Sequence, residues 1–297
     1  MKYAIVDIGS NTIHMVVYDV DGKRIRKVLR EKETAGLVGY IEQNGELSKP
    51  GADQLVTVLS DFCEVARSVA VDEFHAFATA SLRMVSNRDE IVARVATETG
   101  VNVRILSGEE EAALDYTALR DEIGNQSGLM IDLGGGSAEL VSFRNGVREN
   151  SATIALGSLS LYRSFVDEIL PTKHELHEMS RYIKGCIADI TWLPGCASTA
   201  HLLGGTGRAM GRLHMKMNGS SAPIDGYTMD PREIKKMRSE LRGDFMPLIR
   251  YCPERIHTIL PGMTVLHRIL KTAGCSSLTI YNLGIREGFL KQYVLKR

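Results

Sequence analysis

The hydrophobic pattern of the N-terminal stretch predicts a small β unit. A continuous apolar run ends at Asp7, as in a buried strand, and small polar residues then separate it from a second apolar run. Asp21-Gly22 is typical of a tight hairpin. The predicted elements are strands over 3–7, 13–18 and 23–29, joined by the turn Gly9, Ser10, Asn11, Thr12 and by that hairpin.

The same pattern recurs one domain later. Residues 128–143 (GLMIDLGGGSAELVSF) are again an apolar run ending in an aspartate, a small-residue turn and a second strand, followed by Asn145-Gly146. The two aspartates are 132 − 7 = 125 positions apart, and the hairpin glycines are 146 − 22 = 124 positions apart. This spacing predicts an internal duplication. Two such domains would place the small-residue turns on opposite walls of a cleft.

Helical stripes alternate with short strands elsewhere, which predicts an α/β fold. We place the first domain at 1–124 and the second at 125–297, with a crossing at the Gly/Ser-rich 124–128 and a last helix, 285–297, able to pack back on the first domain. The predicted helices are 49–69, 87–100, 107–124, 172–190, 208–217, 230–242 and 261–273, and the strands are 73–78, 101–106, 200–203 and 278–281.

Composition excludes several classes of protein. Of 297 residues, 36 are Lys or Arg and 36 are Asp or Glu, so no global basic field favours nucleic acid. The five cysteines are scattered without a C-x-x-C pair, which favours a reduced, cytoplasmic protein with neither disulfides nor a zinc site. No apolar run approaches the ~18 residues of a membrane span.

Candidate chemistry is densest at 128–143. Glycine N–H groups can close around an anion, while a carboxylate beside them would repel phosphate unless a divalent cation lay between. Asp132, followed by Gly134, Gly135, Gly136, Ser137 and Glu139, therefore predicts a metal–phosphate site. The alternative is a glycine-rich turn beside an ordinary surface aspartate.

Three further sites suggest phosphate chemistry. Arg83 follows a hydroxyl-rich turn and is either a phosphate clamp or a surface arginine. Glu111 lies beyond a capping box formed by Ser107 and Glu110 and is either a general base for water or one more acidic residue in a first helical turn. Residues 204–207 (GGTG) precede a helix, as in anion binding at a helix N-terminus.

One later helix carries four cations. Its residues Lys235, Lys236, Arg238 and Arg242 are typical of a solvated face, and the alternative is a grip on a long polyanion.

Together these motifs resemble the exopolyphosphatase / guanosine pentaphosphate phosphohydrolase (Ppx/GppA) family, within the actin–Hsp70–sugar-kinase superfold. The matching pieces span the chain in the family's order: VDIGSNTIHMVV, ATASLR, ILSGEEEA, MIDLGGGSAEL, LGS, GGTGRAMGRL and GIREGFL. The resemblance implies two ribonuclease-H-like domains around a central cleft that holds Mg²⁺ and the phosphate chain. It implies a cytoplasmic enzyme, which we expect to be a homodimer.

The resemblance also assigns roles. It implies that Glu111 is the general base and that Asp132 and Glu139 hold the metal, with Asp7 as a further candidate. The implied phosphate-binding residues are Ser10, Asn11, Thr12, Arg83, Gly134, Gly135, Gly136, Ser137, Gly205 and Thr206.

The sequence departs from the family pattern at three places: Thr79-Ala80-Ser81 precedes Arg83, Ser160 stands where many members are basic, and Asp225 replaces a histidine before Gly226-Tyr227. Long members also carry a C-terminal helical region that is not present here, so we expect short chains as substrate. The predicted activity is Mg²⁺-dependent release of terminal phosphate from inorganic polyphosphate. The alternatives are guanosine pentaphosphate hydrolysis, an ATP-dependent kinase, and a non-catalytic polyphosphate or alarmone sensor.

Overall fold

The computed structural model describes residues 1–296, which form two compact units. The first comprises Met1–Glu111 together with 292–296, and the second comprises Ala112–Lys291. The guanidinium of Arg104 lies 4.0 Å from the ring centroid of Tyr293 and donates to its hydroxyl at 3.0 Å, which joins the C-terminal segment to the first unit.

The first unit is built on a five-stranded sheet in the order β3-β2-β1-β4-β5. The first three strands are antiparallel, as the two hairpin-type turns require, whereas β4 and β5 run parallel to β1. The elements are β1 (Lys2–Ile8), β2 (Ile13–Asp21), β3 (Arg24–Glu33), α1 (Lys49–Ser68), β4 (Glu73–Ala78), α2 (Ala80–Arg83), α3 (Arg88–Thr99) and β5 (Val103–Ile105), with a 3₁₀ turn at Leu37–Tyr40.

The second unit contains a six-stranded sheet in the order β10-β11-β9-β6-β7-β8. Here β6, β9 and β11 are parallel and the other pairs are antiparallel. Its strands are β6 (Gly128–Leu133), β7 (Ala138–Arg144), β8 (Val147–Ile154), β9 (Thr199–Leu203), β10 (Tyr227–Met229) and β11 (Ser277–Ile280). The remaining helices begin with α4 (Gly108–Ile123), whose first turn belongs to the first unit. They continue with α5 (Ser158–Phe165), α6 (Lys173–Cys186), α7 (Gly204–Met217), α8 (Arg232–Gly243), α9 (Met246–Tyr251), α10 (Ile259–Ala273) and α11 (Ile285–Phe289), with short turns at Pro253–Arg255 and Leu290–Val294.

The predicted α/β duplication is present in the topology. Reading the second sheet from β8 gives β8-β7-β6-β9-β11, the same connections and directions as β3-β2-β1-β4-β5. Both long hairpins contain a register shift, at Val17/Tyr18 and at Ser142/Phe143. In each unit the bulge lies in the pairing of the second strand with the third. The two units therefore share a local irregularity as well as a topology.

The division of the chain differs from the sequence-based one at α4. The sequence predicts a boundary at 124, after this helix, whereas the compact units divide between Glu111 and Ala112. The reason is packing: Ala112, Tyr116, Leu119 and Ile123 of α4 form a buried cluster with Met130, Val141, Phe143 and Leu203 of the second sheet.

One helix start differs from the prediction, and one predicted helix lacks a side-chain cap. The helix expected from residue 208 begins at Gly204, so the glycines form its first turn rather than a loop before it. Asn87 occupies the position before α3 but does not cap it with its side chain. Its amide instead accepts from the N–H of Leu47 at 2.9 Å and donates to the carbonyl of Leu47 at 3.1 Å. Across residues 1–296 none of the helices combines the length and apolar character needed to cross a bilayer.

Candidate active site

In the first unit, the candidate residues follow the carboxyl ends of parallel strands. Asp7 is near the end of β1, the Ser10–Thr12 turn follows it, Arg83 follows β4, and Glu111 follows β5. Because parallel strands end at the same edge of a sheet, this edge collects them, as is usual for ligand sites in open α/β sheets.

The turn after β1 presents free amides. Its carbonyls are occupied: those of Ser10, Asn11 and Thr12 accept from the N–H groups of Val38 (3.0 Å), Gly36 (2.9 Å) and Gly9 (3.0 Å). The N–H groups of Ser10, Asn11 and Thr12 have no acceptor among residues 1–296. A run of unsatisfied amides with the carbonyls turned away is suited to an anion.

Arg83 and Glu111 form a buried ion pair. The Nη1 atom of Arg83 contacts Oε1 of Glu111 and donates to the carbonyl of Leu106 at 3.0 Å. The side chains are 18% and 6% exposed, so this is not the surface arginine that the sequence allowed as an alternative. Ser81, two residues before Arg83, is buried and donates its hydroxyl to the carbonyl of Ile8, which fixes the β4–α2 turn against the end of β1.

A capping box positions Glu111. The N–H of Ser107 donates to Oε2 of Glu110 at 2.8 Å, and the N–H of Glu110 donates to the hydroxyl of Ser107 at 3.1 Å, as predicted. These hydrogen bonds hold the pKa of Glu110 below its usual value, the bond from the Ser107 backbone being the largest cause. Glu110 is therefore a structural cap, while the next residue is directed to Arg83.

In the second unit, the glycine turn repeats the first. The N–H of Gly134 donates to the carbonyl of Ser137 at 3.0 Å, the same bond that Gly9 makes to Thr12. The carbonyls of Gly134 and Gly135 are capped by N–H groups at the start of α5, at 2.9–3.0 Å. The N–H groups of Gly135, Gly136 and Ser137 have no acceptor in the described chain, so this turn also presents amides to an anion.

Ser160 has a local structural role. Its hydroxyl accepts from the N–H of Gly157 at 3.0 Å and so caps α5. The residue that departs from the family pattern thus supports the turn beside Gly135 rather than adding a cation there.

The start of α7 forms a third anion-binding element. Gly204 and Gly205 occupy the first turn of this 14-residue helix, whose N-terminus has no side-chain cap. The side chain of Thr206 is buried and lies 3.4 Å from the hydroxyl of Ser158, which in turn donates to the carbonyl of Gly134 at 3.2 Å. The Thr206 hydroxyl therefore ties the loops together, and the helix N-terminus offers backbone N–H groups.

Asp132 and Glu139 are direct partners in the antiparallel β6–β7 pair. Side chains of directly opposite residues lie on the same face of a sheet, so both carboxylates occupy one side of it. The corresponding pair in the first unit is Asp7 and His14, so the second carboxylate is a feature of the second unit alone. Glu139 is buried.

The surroundings of Asp132 are crowded with charge. Burial raises its pKa, opposed by Arg208, by a hydrogen bond with Asp115, and by Arg286 and Arg255. Burial likewise lowers the pKa of Arg208 to about 10. Ionisable groups whose pKa values are shifted by burial and by specific charged neighbours are typical of functional sites.

These carboxylates suit a cation shared with phosphate. Mg²⁺ is usually held by one or two carboxylates plus substrate oxygens, and Asp132 and Glu139 meet that requirement. Within residues 1–296 there is no cluster of three or more Asp, Glu, His or Cys able to enclose a metal by itself. The residues therefore fit an ion completed by a phosphate ligand.

Four residues around Asp132 were missed by the sequence analysis. Asp115 lies one helical turn after Glu111 on α4, and that i, i+4 spacing was a usable signal. Arg208 lies in the α7 motif and Arg286 in α11, but both were overlooked. Arg255 comes from a short 3₁₀ turn with no local pattern, and its Nη1 atom reaches to 3.5 Å from the hydroxyl of Thr206.

Comparison with solved structures identifies the fold. A Ppx/GppA family member from Aquifex aeolicus aligns over 100% of this chain and 98% of its own, with a TM-score of 0.82 and 22% identity. An exopolyphosphatase from Cytophaga hutchinsonii aligns over the same shares with a TM-score of 0.87 and 19% identity. The chain thus has the predicted α/β fold of two ribonuclease-H-like domains of the actin/Hsp70 type.

Sequence comparison identifies the family. The profile of the Ppx/GppA phosphatase family matches residues 16–297, so the chain belongs to that family, as the motifs predicted. "Exopolyphosphatase 1" of Mycobacterium tuberculosis is 26% identical over 307 residues, covering 98% of this chain and 87% of the relative. The Mycobacterium leprae protein of the same name is 28% identical, covering 98% and 88%. Membership makes the chain a phosphatase, a hydrolase of phosphate bonds.

Proposed function

We propose that this protein is a Mg²⁺-dependent exopolyphosphatase that releases terminal orthophosphate from inorganic polyphosphate. Two observations support the substrate class. The mycobacterial relatives and the Cytophaga structure carry the name exopolyphosphatase. The two turns with unsatisfied amides and the start of α7 are suited to phosphate oxygens, and none requires a base or a sugar.

The observation that carries the mechanism is the buried pair of Glu111 with Arg83. A carboxylate at the same edge of the sheet as the unsatisfied amides of residues 10–12 is suited to orient a water and accept its proton. Arg83 has five N–H donors, of which the structure uses only part, so its fork can engage a phosphate oxygen. If the guanidinium of Arg83 exchanged Glu111 for a phosphate oxygen of the substrate, the carboxylate of Glu111 would be free to act on water.

Charge on the transferred phosphoryl group would be borne by backbone amides. Phosphoryl transfer depends on positioning and electrostatics more than on covalent chemistry. In each unit taken by itself, the N–H groups of the turn (residues 10–12 in the first, 135–137 in the second) are held by the hydrogen bonds that occupy their neighbouring carbonyls, so neither turn needs to rearrange to bind a phosphate oxygen. Asp132 and Glu139 would hold Mg²⁺, which when bound neutralises phosphate charge.

The test is phosphate release from a panel of substrates. Short and long polyphosphates, guanosine pentaphosphate and ATP are compared with and without Mg²⁺, and with an added alcohol acceptor for ATP. The proposal expects Mg²⁺-dependent orthophosphate from polyphosphate, with guanosine pentaphosphate a poorer substrate. Preferred release from guanosine pentaphosphate, ADP formation that needs the acceptor, or tight binding without release would each overturn it in favour of the corresponding alternative.

A further inference from the structure

The second unit carries a group of cations away from the candidate active site. We call it the α8–α10 basic patch and define it by Lys235, Arg238, His267, Arg268 and Lys271. The two lysines are exposed and the other three side chains are half-buried. All four lysine and arginine charges lie close enough to His267 to lower its pKa, which burial as the largest cause brings to about 4. The histidine is therefore neutral, and the patch has four positive charges.

These charges are not neutralised by the protein. Within residues 1–296, no carboxylate lies within ion-pair distance of the four cations, and nearby Glu233 and Glu178 pair with Lys236 and Arg181 instead. Like charges gathered without counter-charges repel one another, and a chain of zero net charge has no general need for such a patch. The uncompensated charge indicates a ligand that is anionic.

The two arginines are held in place by hydroxyl groups. Arg238 on α8 donates to the hydroxyl of Thr264 at 2.8 Å, and Arg268 on α10 donates through Nε to the hydroxyl of Ser180 on α6. A neutral partner orients a guanidinium without cancelling its charge, and the remaining N–H groups match phosphate geometry. The Nδ1 atom of His267, the residue before Arg268, is buried and has no hydrogen-bond partner in the described chain.

Helix α10 connects this patch to the phosphate-binding loops. Near its start, a Cβ placed on Gly262 would lie 2.5 Å from Cγ2 of Thr206 and 3.3 Å from Cβ of Ser158, so the helix packs directly on those loops. Arg268 and Lys271 lie six and nine residues further along, or roughly 9 and 14 Å at 1.5 Å per residue. Lys271 lies on the side of the helix opposite Gly262, so an anion that binds both the loops and the patch must span that distance and pass around the helix, which a long, flexible chain can do.

We propose that the α8–α10 basic patch is a second binding site for the distal part of a long inorganic polyphosphate chain. The inference rests on the proposed function for the identity of the anion. It reverses the expectation that this protein acts best on short chains, because chains long enough to reach the patch bind the four cations there as well as the loops.

The test removes charge at the two exposed lysines, whose side chains make no hydrogen bond or ion pair within residues 1–296. Lys235→Gln/Lys271→Gln is compared with a control, Lys173→Gln/Lys216→Gln, which removes the same charge from exposed positions that do not contribute to the charge around His267. Equilibrium binding of long-chain polyphosphate and of tripolyphosphate is measured over a range of salt concentrations. Phosphate release from both substrates is measured in parallel.

The patch variant should bind long-chain polyphosphate about tenfold more weakly, because two exposed lysine charges no longer pair with phosphate. The slope of log affinity against log salt should become shallower by roughly 0.7 for each lysine–phosphate pair removed, taking the value for single-stranded nucleic acid. The ratio of long-chain to tripolyphosphate kcat/KM should fall with it, while the control pair keeps the wild-type ratio. A second variant, Arg268→Gln, removes a patch arginine and should also weaken long-chain binding relative to the control pair.

Equal long-chain affinity in the patch variant and the control would overturn the inference. If single-stranded DNA competes as well as polyphosphate, the patch is a nucleic-acid surface, and the inference is again wrong. Failure of the proposed function is distinct from both: the wild type would release no phosphate from any polyphosphate, while the binding comparison would still report on the patch.

Discussion

Replacing Gly204 by alanine tests whether the start of α7 positions Asp132. Gly204 has φ = +76°, which costs an L-residue roughly 1–2 kcal/mol. A Cβ at this position would also lie 2.9 Å from Cγ of Asp132 and closer still to its Oδ1 atom. Real Cβ atoms essentially never approach below 3.0 Å, so the carboxylate must move.

The displacement should affect activity more than stability. Moving a group by about 1 Å can reduce a rate about 10²-fold, whereas the backbone strain alone lowers the free energy of unfolding by only about 1–2 kcal/mol. The matched control is Gly219→Ala, just beyond the other end of α7, where φ is +67° and nothing lies within 4 Å of the added Cβ.

Both variants would be compared with wild type by urea unfolding and by the initial rate of phosphate release. We expect similar losses of stability but a loss of about two orders of magnitude in kcat for Gly204→Ala only. Equal kcat in the two alanine variants would show that the carboxylate position is irrelevant to the reaction and would refute the assignment of Asp132.

Two further substitutions test the frame of the first unit. Asn87→Ala removes both hydrogen bonds to the backbone of Leu47 and should lower the free energy of unfolding by about 2 kcal/mol in urea titration; a change near zero would mean that water replaces them. Glu110→Gln removes a carboxylate whose folded pKa lies below its ordinary 4.5. The stabilising effect of Glu110 is therefore present above pH 4.5 and is lost as the pH falls through the pKa of the folded state. The difference in thermal stability between variant and wild type should vanish in acid. A difference that stays constant with pH would contradict the role of Glu110 as a cap.

Local sequence rules predicted much of the fold. The sequence predicted the strand that ends in aspartate, the small-residue turn and the hairpin. It could do so because the spacing of apolar residues and the residue types of turns are local properties. Asn145 and Gly146 have φ of +50° and +71°, as the hairpin motif requires. The identical bond from Gly9 to Thr12 and from Gly134 to Ser137 explains why the two halves were recognisable from sequence.

The features that the sequence did not predict depend on contacts between residues that are distant in sequence. Nothing beside Asn87 indicates that Leu47, 40 residues earlier, takes its hydrogen bonds. Arg255 reaches Thr206 from 49 residues away, out of a short turn without periodicity. The sequence favours a loop at the glycines of α7 because glycine is a poor helix former, but α7 begins at Gly204, where the positive φ and the space taken by Asp132 suit only glycine.

The roles of the site residues remain predictions that one measurement addresses most directly. The rate of orthophosphate release from saturating polyphosphate would be compared for wild type and Glu111→Gln, a change that keeps the shape of the side chain, with polyphosphate affinity measured separately. The account predicts retained affinity and a rate at least about 10²-fold lower. An unchanged rate, with the same affinity, would contradict it.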